Sequence, residues 1–410
     1  MAYGDHPNDK VLRDSWQEFC RRLEQAGEQV FKDHNPATDL HRADAMRFLM
    51  QNVGQAFDLG FETRDPAFPT LHAFCTPNCK LGGDAADFTY HQAWISGDYV
   101  YRVTGQRGTA RFINFTVQGE RPETQPGTDI PSLHEPFGDI PEANLFGHDL
   151  TVESDGSFEL FIGGERRGRN WLPVTAKTRK LFIRQGFDGW DELPAKMSIE
   201  RIGMNEPRPL PTTQTLCDGI HWAGDFIEGV MRDWPDHPYQ YSPFVDLQAV
   251  NQFPSEQGGG ADEDKRRGRA VASLCWELAP EQALLITFMP PDSFWMAAQM
   301  GVFFNSMDFW YRPVSYTPAR TVVDSDGKVR LIISHRDPGY HNWLDTQGFV
   351  RGNLCYRNLL STAATDFETR VVACNALPDV MPQDSIQVTP QERQLQMQAR
   401  FDSIRQRYGF

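Results

Sequence analysis

From Asp9 to Phe31 the apolar residues Val11, Leu12, Trp16, Phe19, Cys20, Leu23, Val30 and Phe31 recur mostly at three- and four-residue steps. This period matches a helical turn and predicts an amphipathic helix. A second helix is predicted from the N-cap candidate Thr38, with Leu40, Phe48, Leu49, Val53, Ala56 and Phe57 on one side until Gly60 interrupts it. Beyond Gly60 the period shortens. The segments "DYVYRVTG", "ARFINFTV", "HDLTVES", "SFELFIGG" and "RKLFIRQG" read as short strands rich in β-branched and aromatic residues. Gln118 to Gly147 is rich in proline and acid without periodicity and predicts a long excursion between strands.

The prolines of "NEPRPLPTTQT", Asn205 to Thr215, oppose both helix and sheet and mark a linker. After it, Leu216, Ile220, Ala223, Phe226, Ile227, Val230, Met231 and Trp234 keep helical spacing. Strand patterns resume in "AVASLCWEL", "ALLITFMP", "FWMAAQMGVFF", "ARTVVDS", "VRLIIS" and "GNLCYRNL". Thr389, Pro390 and Glu392 then form a capping box that opens a C-terminal helix ending before Gly409. The predicted organisation is a helical segment over 1–60, a first β domain over 61–204, the linker 205–215, a second β domain over 216–385 and a helix over 386–410.

Two stretches share one frame. "SDGSFELFIGGERRGRNWLP" begins at Ser154, and "SDGKVRLIISHRDPGYHNWLD" begins at Ser325. Asp155 matches Asp326, Asn170-Trp171-Leu172 matches Asn342-Trp343-Leu344, and Arg184 matches Arg357, at offsets of 171, 172 and 173 residues. A Ser-Asp-Gly turn alone is an ordinary hairpin signal. With the other anchors it predicts an internal duplication. The tryptophan would sit in the sheet core with its indole N–H bonded, and the asparagine would hold a neighbouring loop through its side chain. The fold expected is mainly β with flanking helices (α+β), as two related antiparallel β domains packed in pseudo-twofold fashion.

The second frame, "ARTVVDSDGKVRLIISHRDPGYHNWLDTQGFVRGNLCYR", resembles the domain-of-unknown-function 1214 family, whose members show a DG turn, a polar strand ending before proline, Asn-Trp-Leu and a closing arginine. The likeness is good from Ala270 to Arg357 and looser from Tyr90 to Arg184. It implies an antiparallel β fold with helices alongside and brings no established reaction.

A net charge of −15 argues against nucleic acid as a partner. No stretch approaches the roughly 18 uninterrupted apolar residues of a membrane span, and the start lacks a signal-peptide pattern, so a cytoplasmic protein is expected. Seven scattered cysteines suit reduced thiols. No dinucleotide fingerprint, Walker lysine loop or nucleophile elbow is present, which leaves cofactor-free chemistry or plain binding.

If the halves share an ancestor, chemistry is expected where they differ. His335, Arg336, Asp337, His341 and Asp345 crowd one loop of the second copy, a composition suited to proton transfer. The plain alternative is a solvated Asp-Pro-Gly turn. Phe294, Trp295, Phe303, Phe304, Phe309, Trp310, Tyr311 and Tyr316, with Asp308 and Arg312 among them, would wall an apolar pocket or simply fill a core. Tyr99 and His91, in the matching area of the first copy, would line the opposite side. The expected catalytic set is Asp308, His335, His341 and Asp345. The expected substrate-binding set is Trp295, Phe304, Trp310, Arg312, Tyr316, Tyr99 and His91.

No metal is expected. His72, Cys75, Cys79 and His91 lack a second partnered pair for zinc, and Asp262, Glu263 and Asp264 lie in a glycine-rich, charge-rich run. Two functions remain open. One is an enzyme without a redox cofactor acting on a hydrophobic small molecule (isoprenoid, steroid or aromatic) as lyase, isomerase or hydrolase. The other is a non-catalytic ligand-binding or assembly protein. A homodimer is compatible with either.

Overall fold

The computed structural model describes residues 6–236, 249–254, 269–361 and 363–409. The helical periods at the start become α1 (Asp9–Glu28) and α2 (Asp39–Phe57). The Thr38 side chain accepts the His41 N–H and so caps α2. The third helical pattern becomes α3 (Thr213–Asp236), which starts inside the predicted linker. The capping box opens α4 (Pro390–Tyr408), and Gly409 ends it in the left-handed conformation. α1, α2 and α3 pack together through Phe19, Phe48, Ala223, Phe226 and Val230. The third helix therefore joins the N-terminal helices as one layer instead of standing apart at the head of a second domain.

The first run of strands is β1 (His72–Cys75), β2 (Phe88–Trp94), β3 (Tyr101–Gln106), β4 (Phe112–Gly119), β5 (Pro141–Phe146), β6 (Ser157–Ile162), β7 (Trp171–Leu172), β8 (Thr178–Gly186) and β9 (Lys196–Arg201). They form two sheets, in the orders β1-β2-β8-β4-β5 and β7-β6-β3-β9. Phe115, Leu160, Ile162, Leu181 and Ile183 fill the space between them. The second run is β10 (Arg269–Glu277), β11 (Gln282–Phe288), β12 (Trp295–Met300), β13 (Ser315–Tyr316), β14 (Val329–Ser334), β15 (Trp343–Asp345), β16 (Arg351–Leu359) and β17 (Phe367–Ala373). These give the orders β10-β16-β12-β13 and β15-β14-β11-β17, around Leu274, Trp276, Ile286, Trp295 and Leu354. The architecture is thus mainly β with helices alongside.

Reading β2 against β10, and so on to β9 against β17, the strand orders coincide, with β1 an additional edge strand. The local bonds coincide too. Phe161 opposes Trp171 and Ile332 opposes Trp343, in parallel pairs that interrupt otherwise antiparallel sheets. Each tryptophan donates its indole N–H to a carbonyl at 3.2 Å, Gly163 O in the first sandwich and Ser334 O in the second. Gly156 and Gly327 take φ of 84° and 80° at the two Ser-Asp-Gly turns, a region that favours glycine.

Asn170 bonds both backbone groups of Thr151, at 2.8 Å each. Asn342 does the same to Val322, at 3.0 and 2.8 Å. This explains two corrections: "HDLTVES" and "ARTVVDS" are not strands, because an asparagine side chain satisfies their backbone where a ladder was expected. The excursion 118–147 also ends in a real strand, β5, paired with β4. Asn342→Ala and Asn170→Ala should each lower stability by about 1–3 kcal/mol, the cost of stranding buried backbone groups. Urea unfolding checks this, and losses below about 0.5 kcal/mol would show that water replaces the amide.

The two central sheets, one per sandwich, turn their remaining faces toward the helical layer. Phe88, Tyr90, Phe112 and Phe182 from the first and Cys275, Met296, Ala298 and Cys355 from the second share one core with α1, α2 and α3.

Candidate functional site

The loop after β15 gathers part of the expected catalytic set. Arg312 donates to Asp345 at 2.9 Å, Asp345 accepts the Gln347 N–H at 2.8 Å, and the Gln347 side chain bonds both backbone groups of Asp308. Asp308 itself accepts the N–H groups of Trp310 and Tyr311, a turn-capping role. Both ring nitrogens of His335 are engaged, by Leu278 O and the Thr346 hydroxyl. His341 lies elsewhere, bonded to Asn342, beside a water-sized cavity of about 10 Å³ shared with Asp324, Arg330 and Tyr340. Burial pushes the His341 imidazole below its usual range. The four residues do not converge on one space.

The expected aromatic wall is split by strand alternation, which sends neighbouring side chains to opposite faces. Trp295, Tyr316 and Phe309 fill the core of the second sandwich, with Trp310 packed at its edge, whereas Phe294, Phe303 and Phe304 join the shared core. Tyr316 donates its hydroxyl to the His341 carbonyl. His91 follows Tyr90 on β2 and so faces away from it, and Tyr99 lies under the Arg201 guanidinium at 4.7 Å. These two residues do not oppose the wall.

Aromatic side chains do converge on the face of the first central sheet that meets the helices. Ring contacts run from Phe146 to Phe112, Phe88, Tyr90, Phe182, Phe137, Trp234 and Phe304, with centroids 5.4–6.5 Å apart. Phe74 and Phe294 branch from this run. Gly82 allows it to close: with φ of 36° and its Cα against the Trp234 indole, any side chain there would overlap the ring.

Two half-buried arginines stand among these rings. Arg184 on β8 is the register partner of Tyr90 on β2 and Asn114 on β4, and donates to Asn114 Oδ1 at 3.1 Å. Its guanidinium lies 5.3 Å from the Phe182 ring. Arg357 on β16 comes from the opposite sandwich, donates to Gly83 O and lies close enough to Tyr90 for its charge to act on the Tyr90 hydroxyl. Its NH1 has no hydrogen-bond partner among the described residues. Tyr90 thus lies beside both arginines that the repeated frame placed at matching positions, as register partner of Arg184 and within the field of Arg357.

Beside Gly83, a polar chain joins the sandwiches. Lys80 donates to the Ser306 hydroxyl at 2.8 Å, and Ser306 donates its hydroxyl and its N–H to Asp84. Lys80 also sits 3.6 Å from the Phe309 ring centre. Burial pushes Lys80 down to about 8. Burial also pushes the Asp84 carboxyl above its usual range, against the pull of Lys80 and Ser306. Phe304, two residues before Ser306, has φ of 51°, a conformation non-glycine residues adopt at an energetic cost. Sequence reading missed Lys80, Asp84 and Ser306, because a lysine and a serine 226 residues apart carry no local pattern.

Among the described residues no three histidine, cysteine, aspartate or glutamate side chains gather as a metal set. Cys75 and Cys79 instead donate to the carbonyls of Leu81 and Gln51. Asp262, Glu263 and Asp264 lie outside the described residues. Among the described residues no helix is long and apolar enough to cross a membrane.

An uncharacterized protein from Burkholderia cenocepacia has a solved structure that matches 88% of this chain and 98% of its own, at 30% identity and a TM-score of 0.76. The chain belongs to the same family as that protein. The VPA0106 protein from Vibrio parahaemolyticus matches 80% of this chain and 98% of its own, at 11% identity and a TM-score of 0.45. No family model matches the chain, and no curated protein matches it.

Proposed function

We propose that the protein binds a hydrophobic small molecule carrying an anionic group on the aromatic face between Arg184 and Arg357, and acts on it by acid–base chemistry without a redox cofactor. The observation that carries this reading is the pair of arginines, one from each sandwich, standing beside Tyr90 and set among a continuous run of aromatic rings. The rings supply apolar area, and the guanidiniums supply orientation and charge. Asp84, next to Gly83 and with raised proton affinity, is the group placed to deliver a proton. Aromatic faces would also stabilise a cation formed on protonation.

The matching positions of Arg184 and Arg357 are best accounted for by descent of both sandwiches from one β unit. The coincident strand orders and the paired asparagine and tryptophan bonds support that reading. Membership of the domain-of-unknown-function 1214 family is proposed on the same frame.

The test uses 1-anilinonaphthalene-8-sulfonate, an aromatic anion, as probe. Wild-type protein should bind it saturably, and Arg184→Met and Arg357→Met should each raise Kd by about tenfold or more. Unchanged affinity in both variants rejects the site. A second reading, binding without turnover, rests on Ser306 engaging both Asp84 oxygens. Incubation with isoprenoid, steroid and aromatic acids, followed by mass spectrometry, separates the two readings. Product from wild type and none from Asp84→Asn supports the enzyme, whereas unaltered compounds throughout support the binder.

A further inference from the structure

Away from the aromatic face, three arginines converge on one ring at the junction of the sandwiches. The guanidinium carbons of Arg320, Arg400 and Arg407 lie 4.1, 4.8 and 5.8 Å from the centre of Trp190. Arg320 comes from the turn after β13, Arg400 and Arg407 from α4 two turns apart, and Trp190 from the segment after β8. The arginines are 8%, 2% and 6% exposed.

The negative charge facing them is small. Asp87 is wholly buried, with Oδ1 2.7 Å from Arg320 NH2 and 3.9 Å from Arg407 NH1. Asp188 is engaged elsewhere: one oxygen accepts the Ala319 N–H at 2.7 Å and the other lies 3.7 Å from Arg111. Glu192 accepts the backbone N–H groups of Arg111, Asp188 and Gly189. Among the described residues, three guanidiniums therefore share one carboxylate, that of Asp87.

The donors are under-used as well. Arg400 reaches the hydroxyl and carbonyl of Ser315 with two nitrogens, but its Nε makes no hydrogen bond among the described residues. None of the three nitrogens of Arg407 makes one among the described residues. Burial and mutual repulsion push Arg400 down to about 9 and Arg407 down to about 10. Arginine nevertheless keeps its proton in proteins. Excess buried cation with unfilled N–H groups calls for an anion.

We propose that Arg320, Arg400 and Arg407 bind one small oxyanion, a carboxylate or an inorganic phosphate, with Arg407 as the principal donor. A guanidinium edge presents two parallel N–H groups, which match two oxygens of one anion and do not match a monatomic halide. Trp190 beside Arg320 and Arg400, and Phe187 at 4.3 Å from Arg407, are aromatic neighbours that attract the cations but offer the guanidinium N–H groups no oxygen acceptor. The bound anion would tie α4, through Arg400 and Arg407, to Arg320 of the second sandwich.

The experiment melts the full chain in sodium phosphate, sodium formate or sodium bromide at matched ionic strength. Saturable stabilisation by phosphate or by formate, exceeding that of bromide, is expected, and the effective salt identifies the ligand as a phosphate or a carboxylate. Arg407→Met should abolish the dependence. If that variant does not fold, Arg400→Lys, which keeps the charge and loses the fork, should raise the half-saturating concentration at least tenfold. Identical wild-type melting in the three salts, or equal stabilisation by bromide, overturns the proposal.

Discussion

Replacing Asp87 by asparagine is expected to destabilise the protein by about 3–5 kcal/mol, the usual cost of breaking a buried ion pair from one side. Burial alone would push the Asp87 carboxyl up, yet Arg320, Arg400 and Arg407 outweigh it and hold the group below its usual range. Asparagine keeps the shape and removes the charge, so the side chain next to Arg320 NH2 becomes neutral where a carboxylate stood 2.7 Å away. Urea unfolding followed by tryptophan fluorescence measures the loss. A change under about 1 kcal/mol would mean that Asp87 is not the counter-charge of these arginines.

Acidification is the second large effect. His134 is buried, its Nε2 accepts the Trp234 indole N–H at 2.6 Å, and its Nδ1 meets the Glu135 carbonyl at 2.6 Å. The ring is therefore a neutral tautomer with one donor and one acceptor already matched. Burial pushes its pKa down to about 4, from the usual 6.5 of a free imidazole. Because the folded pKa is the lower one, the unfolded chain takes up the proton first as pH falls. The contribution of His134 is complete above pH 6.5 and is lost toward pH 4, at about 3 kcal/mol. His91, pushed to about 4 by burial, acts in the same direction. Unfolding free energies from pH 7.5 to 4 should show this slope. His134→Gln should be less stable at neutral pH and flatter across the acid range. An unchanged slope would remove His134 from the account.

The helices were legible because each combined a 3.6-residue stripe with a terminal signal, as in Thr38 before α2 and Thr389 with Glu392 before α4. The inner strands were legible for the same kind of reason, being buried on both faces and rich in β-branched residues. β9 and β17 were not, since both are edge strands of the outer sheets, and "KMSIER" buries no residue fully and "FETRVVA" only one, so neither carries a strong apolar signal.

The repeated frame did point to Arg184 and Arg357, but chemistry was sought where the halves differ. The arginines lie where the halves agree, on faces that alternation turns toward the shared core. His335 and Asp345, crowded in sequence, and Asp308, from the aromatic run, all bond to the turn after β15. Their bonds go to backbone and to Gln347, Thr346 and Arg312, partners that no local pattern reveals.

During synthesis, α4 leaves the ribosome after both sandwiches, and domains fold largely in order of emergence. Yet this helix carries Arg407 to within reach of Asp87, Arg400 to Ser315 and the Tyr408 hydroxyl to the Phe88 carbonyl. The nascent chain must therefore hold Asp87 and Arg320 uncovered until α4 has emerged, so the junction of the sandwiches closes only after both sandwiches have been made.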